Sequence, residues 1–194
     1  RELEEPNVPD YEQIFLNGNQ AISLGAAHAG VNFFAGYPIS PATTILLWME
    51  ANLVGEGQFA YQVSSEIEAI TALVGASYGG AKAMTSTAGP GLSLMSEGLG
   101  LAWMAEIPLV VVDVQRGGPA TGLPTKTEQS DLLSAMKPSH GDVSVPVIAP
   151  GTVEECFYGA VAAVNWAERY QGPVILLSEH ALSEREQNIR KPDL

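Results

Sequence analysis

Apolar and polar positions along this chain fall into two alternating periods. Residues 19–30, NQAISLGAAHAG, place Ala, Ile and Leu at helical spacing and end in glycine, which predicts a helix with a glycine stop. Residues 31–38 read as a short strand ended by proline. Residues 41–54 read as an apolar helix with proline near its first turn. The same reading continues with a strand over 58–65, a helix over 66–80, a strand over 81–88, a GPG turn at 89–91 and a helix over 92–106. Residues 107–115, IPLVVVDVQ, are strand formers apolar on both faces, as in the middle of a parallel sheet. A polar loop over 116–131 leads into a short helix. A strand over 145–150, a helix over 152–170 and a strand over 172–179 complete the pattern. Strand and helix alternate throughout, which predicts an α/β fold: a doubly wound, mainly parallel sheet with helices on both faces.

Composition narrows the function. Of 194 residues, 46% are hydrophobic and 16% charged, enough apolar side chain for a sizeable core in one domain over 17–183. Residues 1–16 are acidic and linker-like, and 184–194 read as a tail leading out of the domain, as in a piece of something longer. A net charge of −13 argues against nucleic acid and anionic membrane as partners. The single cysteine, Cys156, excludes an internal disulfide and an iron–sulfur site, and three histidines without ligand spacing give no metal site. No signal peptide or membrane-length apolar run is visible, so a cytoplasmic location is expected.

In a doubly wound fold, sites lie at the carboxyl ends of the strands. That rule selects Tyr37–Ser40, Ser64–Glu68, Thr85–Gly91 and Gln115–Thr127. Within SSEIEAI, Ser65 and Glu68 have the spacing of a capping box. Glu66 then stands at the first helical position, where charge–dipole stabilisation and chemistry are both open readings. TSTAGPG lacks the lysine and spacing of a P-loop, and no GxGxxG fingerprint follows a strand. Arg116, anchored at the end of the most apolar strand, suits bidentate capture of a carboxylate, with an ion pair to a protein acid as the rival. Ser40 is read either as a functional hydroxyl or as a helix cap with Pro41 at the first helical position.

Five stretches together match one family: GN-AISLGA--AG, GYPISPAT, SEIEAI----GASYGGAKAMTSTAGPG-SLM-E, QRGGPATGLPTKTEQSDL and GPVILLSE. Over residues 17–183 the chain resembles the pyrimidine-binding (PYR) domain of the alpha subunit of 2-oxoacid:ferredoxin oxidoreductases, especially the 2-oxoglutarate type. The resemblance implies a thiamine diphosphate-binding fold and half of a cofactor site. The other half, with Mg²⁺, the diphosphate contacts and an iron–sulfur cluster, is implied on a beta-subunit partner. It further implies decarboxylation of a 2-oxoacid, transfer of the acyl group to coenzyme A and electrons to ferredoxin. By the same resemblance Glu66 is catalytic and hydrogen-bonds the aminopyrimidine ring, Arg116 faces the substrate carboxylate, and Ser40 contacts substrate where relatives carry threonine. Pro38, Ile39 and Gly89 are implied beside the cofactor, and two PYR domains are implied to pair. HGDV at 140–143 is only a superficial match to the diphosphate signature. A different thiamine diphosphate enzyme and a non-catalytic interaction domain remain as alternatives.

Overall fold

The apolar run LVVVDVQ forms a strand buried along its whole length, and the sheet is built outward from it. The computed structural model describes residues 9–193; the first eight residues of the acidic N-terminal segment lie outside the described residues. The elements are β1 (Gln13–Asn17), α1 (Gly18–His28), β2 (Phe33–Gly36), α2 (Thr43–Asn52), β3 (Phe59–Gln62), α3 (Glu66–Tyr78), β4 (Ala83–Thr87) and α4 (Gly89–Leu94). Then follow α5 (Ser96–Met104), β5 (Leu109–Gln115), α6 (Leu132–Met136), β6 (Val147–Ile148), α7 (Val153–Tyr170), β7 (Pro173–Glu179), α8 (His180–Glu184) and β8 (Glu186–Arg190). Six strands make one parallel sheet in the order β3-β2-β4-β5-β7-β6. The chain moves from β2 outward to β3 and returns to the other side of β2 at β4, so the winding direction reverses there.

Alternation along the strands divides the core into two layers. Phe34, Val110, Val112, Val114 and Leu176 point to the side covered by α1, α2 and α7. Leu109, Val111, Ile175 and Leu177 point to the side covered by α3, α4, α5 and α6. Fully burying a Leu, Ile or Phe of this kind stabilises by about 1.5–3 kcal/mol. Helix α7 shows the spacing that produces this packing. Its buried residues Val153, Cys156, Phe157, Ala160, Ala163, Val164 and Ala167 recur every three or four positions. Thr152 caps its start by accepting from the Glu155 amide at 3.1 Å. At the end of α1, Gly30 adopts φ +90°, and the amides of Gly30 and Val31 donate to the carbonyls of Ala27 and Ala26. This double closure is a Schellman stop, and the glycine expected to end the helix provides it.

Four local expectations differ from the structure. The polar ends pair with each other: β1 and β8 form an antiparallel ribbon with Gln13 opposite Arg190. The GPG turn is the first turn of helix α4, where proline needs no helical partner for its nitrogen. The helix expected over 92–106 is broken at Met95, which ends α4 and begins α5. Ser40 does not cap α2, whose N-cap is Ala42 without a side-chain bond.

Candidate functional site

Four loops leave the carboxyl ends of β2, β3, β4 and β5, on both sides of the point where the winding reverses. Open α/β sheets place ligands there. The loop after β3 delivers Glu66. Ser65 caps α3 with its hydroxyl accepting from the Glu68 amide at 3.2 Å. The Glu68 carboxylate turns back to Ser64, accepting from its amide at 2.7 Å and its hydroxyl at 2.5 Å. These two bonds hold Glu68 below the ordinary carboxylate range. The box therefore closes one residue earlier than its sequence spacing suggests, and it consumes Glu68. Glu66, at the first helical position, is left out of the cap and is buried.

The loop after β4 meets Glu66. A Cβ on Gly91 would lie 2.7 Å from the Glu66 Cγ and Oε1 and would collide with the Thr87 hydroxyl. Gly91 is therefore a cradle that any larger residue would fill, and it gives the Glu66 carboxyl its space. Gly89, on the same turn, lies against the Asp131 carboxylate, 2.7 Å from where its Cβ would be.

Arg116 leaves the end of β5 and is buried. Its Nη1 donates to the Ser40 carbonyl at 2.6 Å and its Nη2 donates to the Thr121 carbonyl. Its Nε has no partner among the described residues. No protein carboxylate is among these partners in the described residues: the guanidinium ties two loops together through backbone oxygens. Burial pulls its pKa down and the nearby Glu66 pushes it back up, so Glu66 and Arg116 share one electrostatic neighbourhood. Ser40 joins them through the Arg116 bond, with Pro38 and Ile39 just before it on the same loop.

The 116–131 loop is folded on itself. Gly117 accepts from and donates to its far side, with Leu123 N to Gly117 O at 2.5 Å and Gly117 N to Lys126 O at 2.8 Å. Gly122, at φ +66°, presses against the Gly117 carbonyl, where no Cβ would fit. Glu128 accepts from the Gly118 amide at 2.6 Å. Gln115 pins the exit: its amide donates to Ser178 O at 3.1 Å and its carbonyl accepts from Asp131 N at 2.9 Å.

Three members of this neighbourhood had no role from the sequence. Thr87 and Gly91 lay within the selected stretch Thr85–Gly91, but only as small residues of a tight turn. Asp113, opposite Thr87 in the sheet, is fully buried, with neither carboxylate oxygen partnered among the described residues. Its signal was a lone acid inside an otherwise apolar strand. Burial first, then Asp131, raises its pKa well above the usual range. Among the described residues no group of three His, Cys, Asp or Glu could hold a metal ion. No helix among them is long and apolar enough to cross a membrane.

Two hollows lie elsewhere. One of about 420 Å³ and another of about 500 Å³ meet at Trp103 and Met104, the first touching Pro173 and Val174 at the opposite end of β7. Around the site, Leu94 of α4 and Leu132, Leu133 and Met136 of α6 expose apolar surface.

Residues 24–194 match the family model described as pyruvate flavodoxin/ferredoxin oxidoreductase, thiamine diphosphate-binding. The chain belongs to this family. Within the oxidoreductase family it is 48% identical to the 2-oxoglutarate synthase subunit KorA of Methanothermobacter marburgensis, over 94% of this chain and 48% of that protein. It is 44% identical to the 2-oxoglutarate oxidoreductase subunit KorA of Mycobacterium tuberculosis, over 100% of this chain and 30% of that protein. The 2-oxoglutarate:ferredoxin oxidoreductase from Magnetococcus marinus, solved with 2-oxoglutarate, coenzyme A and succinyl-CoA bound, superposes with a TM-score of 0.92 at 47% identity. That match covers 94% of this chain and 32% of the solved chain. The chain thus spans about half the length, or less, of these relatives. The parallel α/β fold expected from the hydrophobic pattern is the fold of the oxidoreductase neighbour.

The residues present fit thiamine diphosphate. A buried carboxyl beside a Cβ-free cradle suits the hydrogen-bonding edge of a flat ring, and the Nε of Arg116 is a buried donor still lacking an acceptor.

Proposed function

We propose that this chain is the pyrimidine-binding half of the thiamine diphosphate site of a cytoplasmic 2-oxoacid:ferredoxin oxidoreductase. Its 2-oxoacid is 2-oxoglutarate, its product an acyl-CoA, and its electrons go to ferredoxin. The observation that carries the reading is Glu66, a buried carboxyl released from capping by Glu68 and given space by Gly91 at the sheet's carboxyl edge. Thiamine diphosphate, when bound, supplies the carbon nucleophile and electron sink that release of CO2 requires. Glu66 holds a proton at a pyrimidine ring nitrogen and fixes the tautomer that can accept the next proton. Arg116 keeps a positive charge in a water-poor site, where its remaining N–H groups orient a substrate carboxylate. The Ser40 hydroxyl, on the residue whose backbone carbonyl accepts from Arg116, contacts the same substrate. Pro38 and Ile39 line the cofactor from the β2 loop.

A beta-subunit partner with a diphosphate-binding domain completes the site and carries Mg²⁺ and the iron–sulfur cluster, which one cysteine here could not hold. The exposed apolar residues of α4 and α6 meet that partner. With this face uncovered, the isolated chain self-associates as a symmetric dimer, the pairing expected of PYR domains.

The test is made in the assembled enzyme. Glu66→Gln lowers kcat by about 10²–10⁴-fold, the usual weight of a positioned acid or base, with the thermal midpoint nearly unchanged. Glu68→Gln leaves turnover intact. Arg116→Lys raises KM for 2-oxoglutarate while thiamine diphosphate affinity is little changed. Wild-type turnover by the Glu66 variant would end this reading.

A further inference from the structure

The stretch GNQAISLGA has so far no part in the chemistry, yet it contains a polar side chain buried without a capping role. Helix α1 is capped by Asn17, whose carbonyl oxygen accepts from the Gln20 amide at 2.9 Å, while the Gln20 side chain accepts from the Asn17 amide at 3.0 Å. The box is complete, and Asn19 is not needed for it. Asn19 is only 1% exposed. Its amide nitrogen donates to the Pro41 carbonyl at 3.0 Å and to the Thr44 hydroxyl at 2.8 Å, using one hydrogen on the loop after β2 and the other on the first turn of α2. Its Oδ1 has no partner among the described residues. A buried acceptor left bare is unfavourable, so stability alone favours an apolar residue here. Nor can the helix start shift to accommodate one, because Gly18 packs directly against the Leu182 carbonyl.

The loop that Asn19 holds is the one carrying Ser40. Three successive carbonyls of that loop each accept from a different side chain: Ser40 from Arg116 at 2.6 Å, Pro41 from Asn19 at 3.0 Å, and Ala42 from the Ser86 hydroxyl at 3.4 Å. The donors come from the end of β5, the first turn of α1 and strand β4. They approach from three elements, so the loop has no regular ladder of its own and takes its place from side chains. We propose that Asn19 is a positioning residue of the substrate site: it fixes the loop over 40–42 to the start of α2 and, through it, the Ser40 hydroxyl against the 2-oxoacid. This rests on the reading of Ser40 as a substrate contact.

The assembled enzyme provides the test, with Asn19→Ala, Ser40→Ala, their double variant, Thr44→Val and Thr44→Ser. Ser40→Ala raises KM for 2-oxoglutarate. Asn19→Ala raises it on the order of tenfold, the loss expected for one to two neutral hydrogen bonds, with kcat within about threefold of wild type. In the Ser40→Ala background, Asn19→Ala adds nothing further, because the hydroxyl it places is gone. Thr44→Val shows the same pattern more weakly and Thr44→Ser behaves as wild type. The Thr44 pair keeps the test intact if Asn19→Ala does not fold. If Ser40→Ala raises KM while the Asn19 and Thr44→Val effects are absent, or add in full to it, the positioning role is wrong and the proposed function stands. If Ser40→Ala leaves KM unchanged, the substrate reading of Ser40 fails, and the role of Asn19 fails with it.

Discussion

Three acids near the site respond to pH, two in one direction and one in the other, and each direction follows from its surroundings. Asp113 is buried with no hydrogen-bond donor among the described residues, and Asp131 adds repulsion, so its folded pKa is raised. The folded chain then keeps a proton that the unfolded chain gives up near its ordinary value of about 3.9. The stability this group contributes is full below that value and is lost as pH rises toward the folded pKa. Asp131, raised mainly by its own burial, acts the same way. Glu68 is the reverse: its pKa is lowered by the Ser64 bonds, so its contribution is present above the unfolded value and fades as pH falls. We therefore expect Asp113→Asn to match the wild type in urea midpoint near pH 4 and to exceed it increasingly as pH is raised. Parallel pH profiles for the two proteins would contradict a proton on Asp113. Sequence spacing assigned Ser65 and Glu68 to the cap, but it could not show that Glu68 reaches Ser64 or that Asp113 is unpartnered among the described residues. Those facts depend on neighbours that come together only across the sheet.

Helix α4 shows how an element can matter for what it lacks. Gly91→Ala puts a methyl group against Glu66 and Thr87, while Gly89→Ala puts one against Asp131. Crowding of this kind costs about 1–3 kcal/mol, or roughly 2–12 °C in thermal midpoint for a domain of this size. Both variants are expected to melt lower in calorimetry. Only Gly91→Ala should also lose turnover in the assembled enzyme, because only it displaces Glu66. The strands and long helices were legible because burial marks the sequence, as a run of strand formers in β5 and as a period of three to four residues in α7. The break at Met95 was not legible, since both halves are apolar and the bend is set by what lies underneath. The ribbon of β1 and β8 was missed for the opposite reason: EQNIR is mostly polar, the apolar residues of QIFLN are consecutive rather than alternating, and each strand is recognisable only beside the other. At Arg116 the residue was found and its partners were not, because backbone carbonyls leave no mark in the sequence.

Across the whole molecule, α7 and α1 form one tightly packed layer, and Cys156 lies inside it with no exposure. Burial, helped by Glu155 and Glu179, pushes its thiol up to about 12. A thiol is modified as the thiolate, so the folded protein should resist alkylation at pH 8. Labelling measured by mass spectrometry across a urea series should appear only as the chain opens, making this residue a reporter of global unfolding. Rapid labelling without denaturant would show that the α1–α7 layer opens on its own. The ribbon at the chain ends has a mechanical consequence. Residues 12 and 191 lie side by side, joined by the Lys191 Nζ–Glu12 contact at 2.8 Å and the Lys191 N to Glu12 O bond at 2.9 Å. Tension applied through these two points pulls the antiparallel strands apart along their hydrogen bonds, which then rupture one after another. In a force spectrometer the ribbon should peel at low load while the six-stranded sheet is still intact, giving an early, small extension before the main unfolding event.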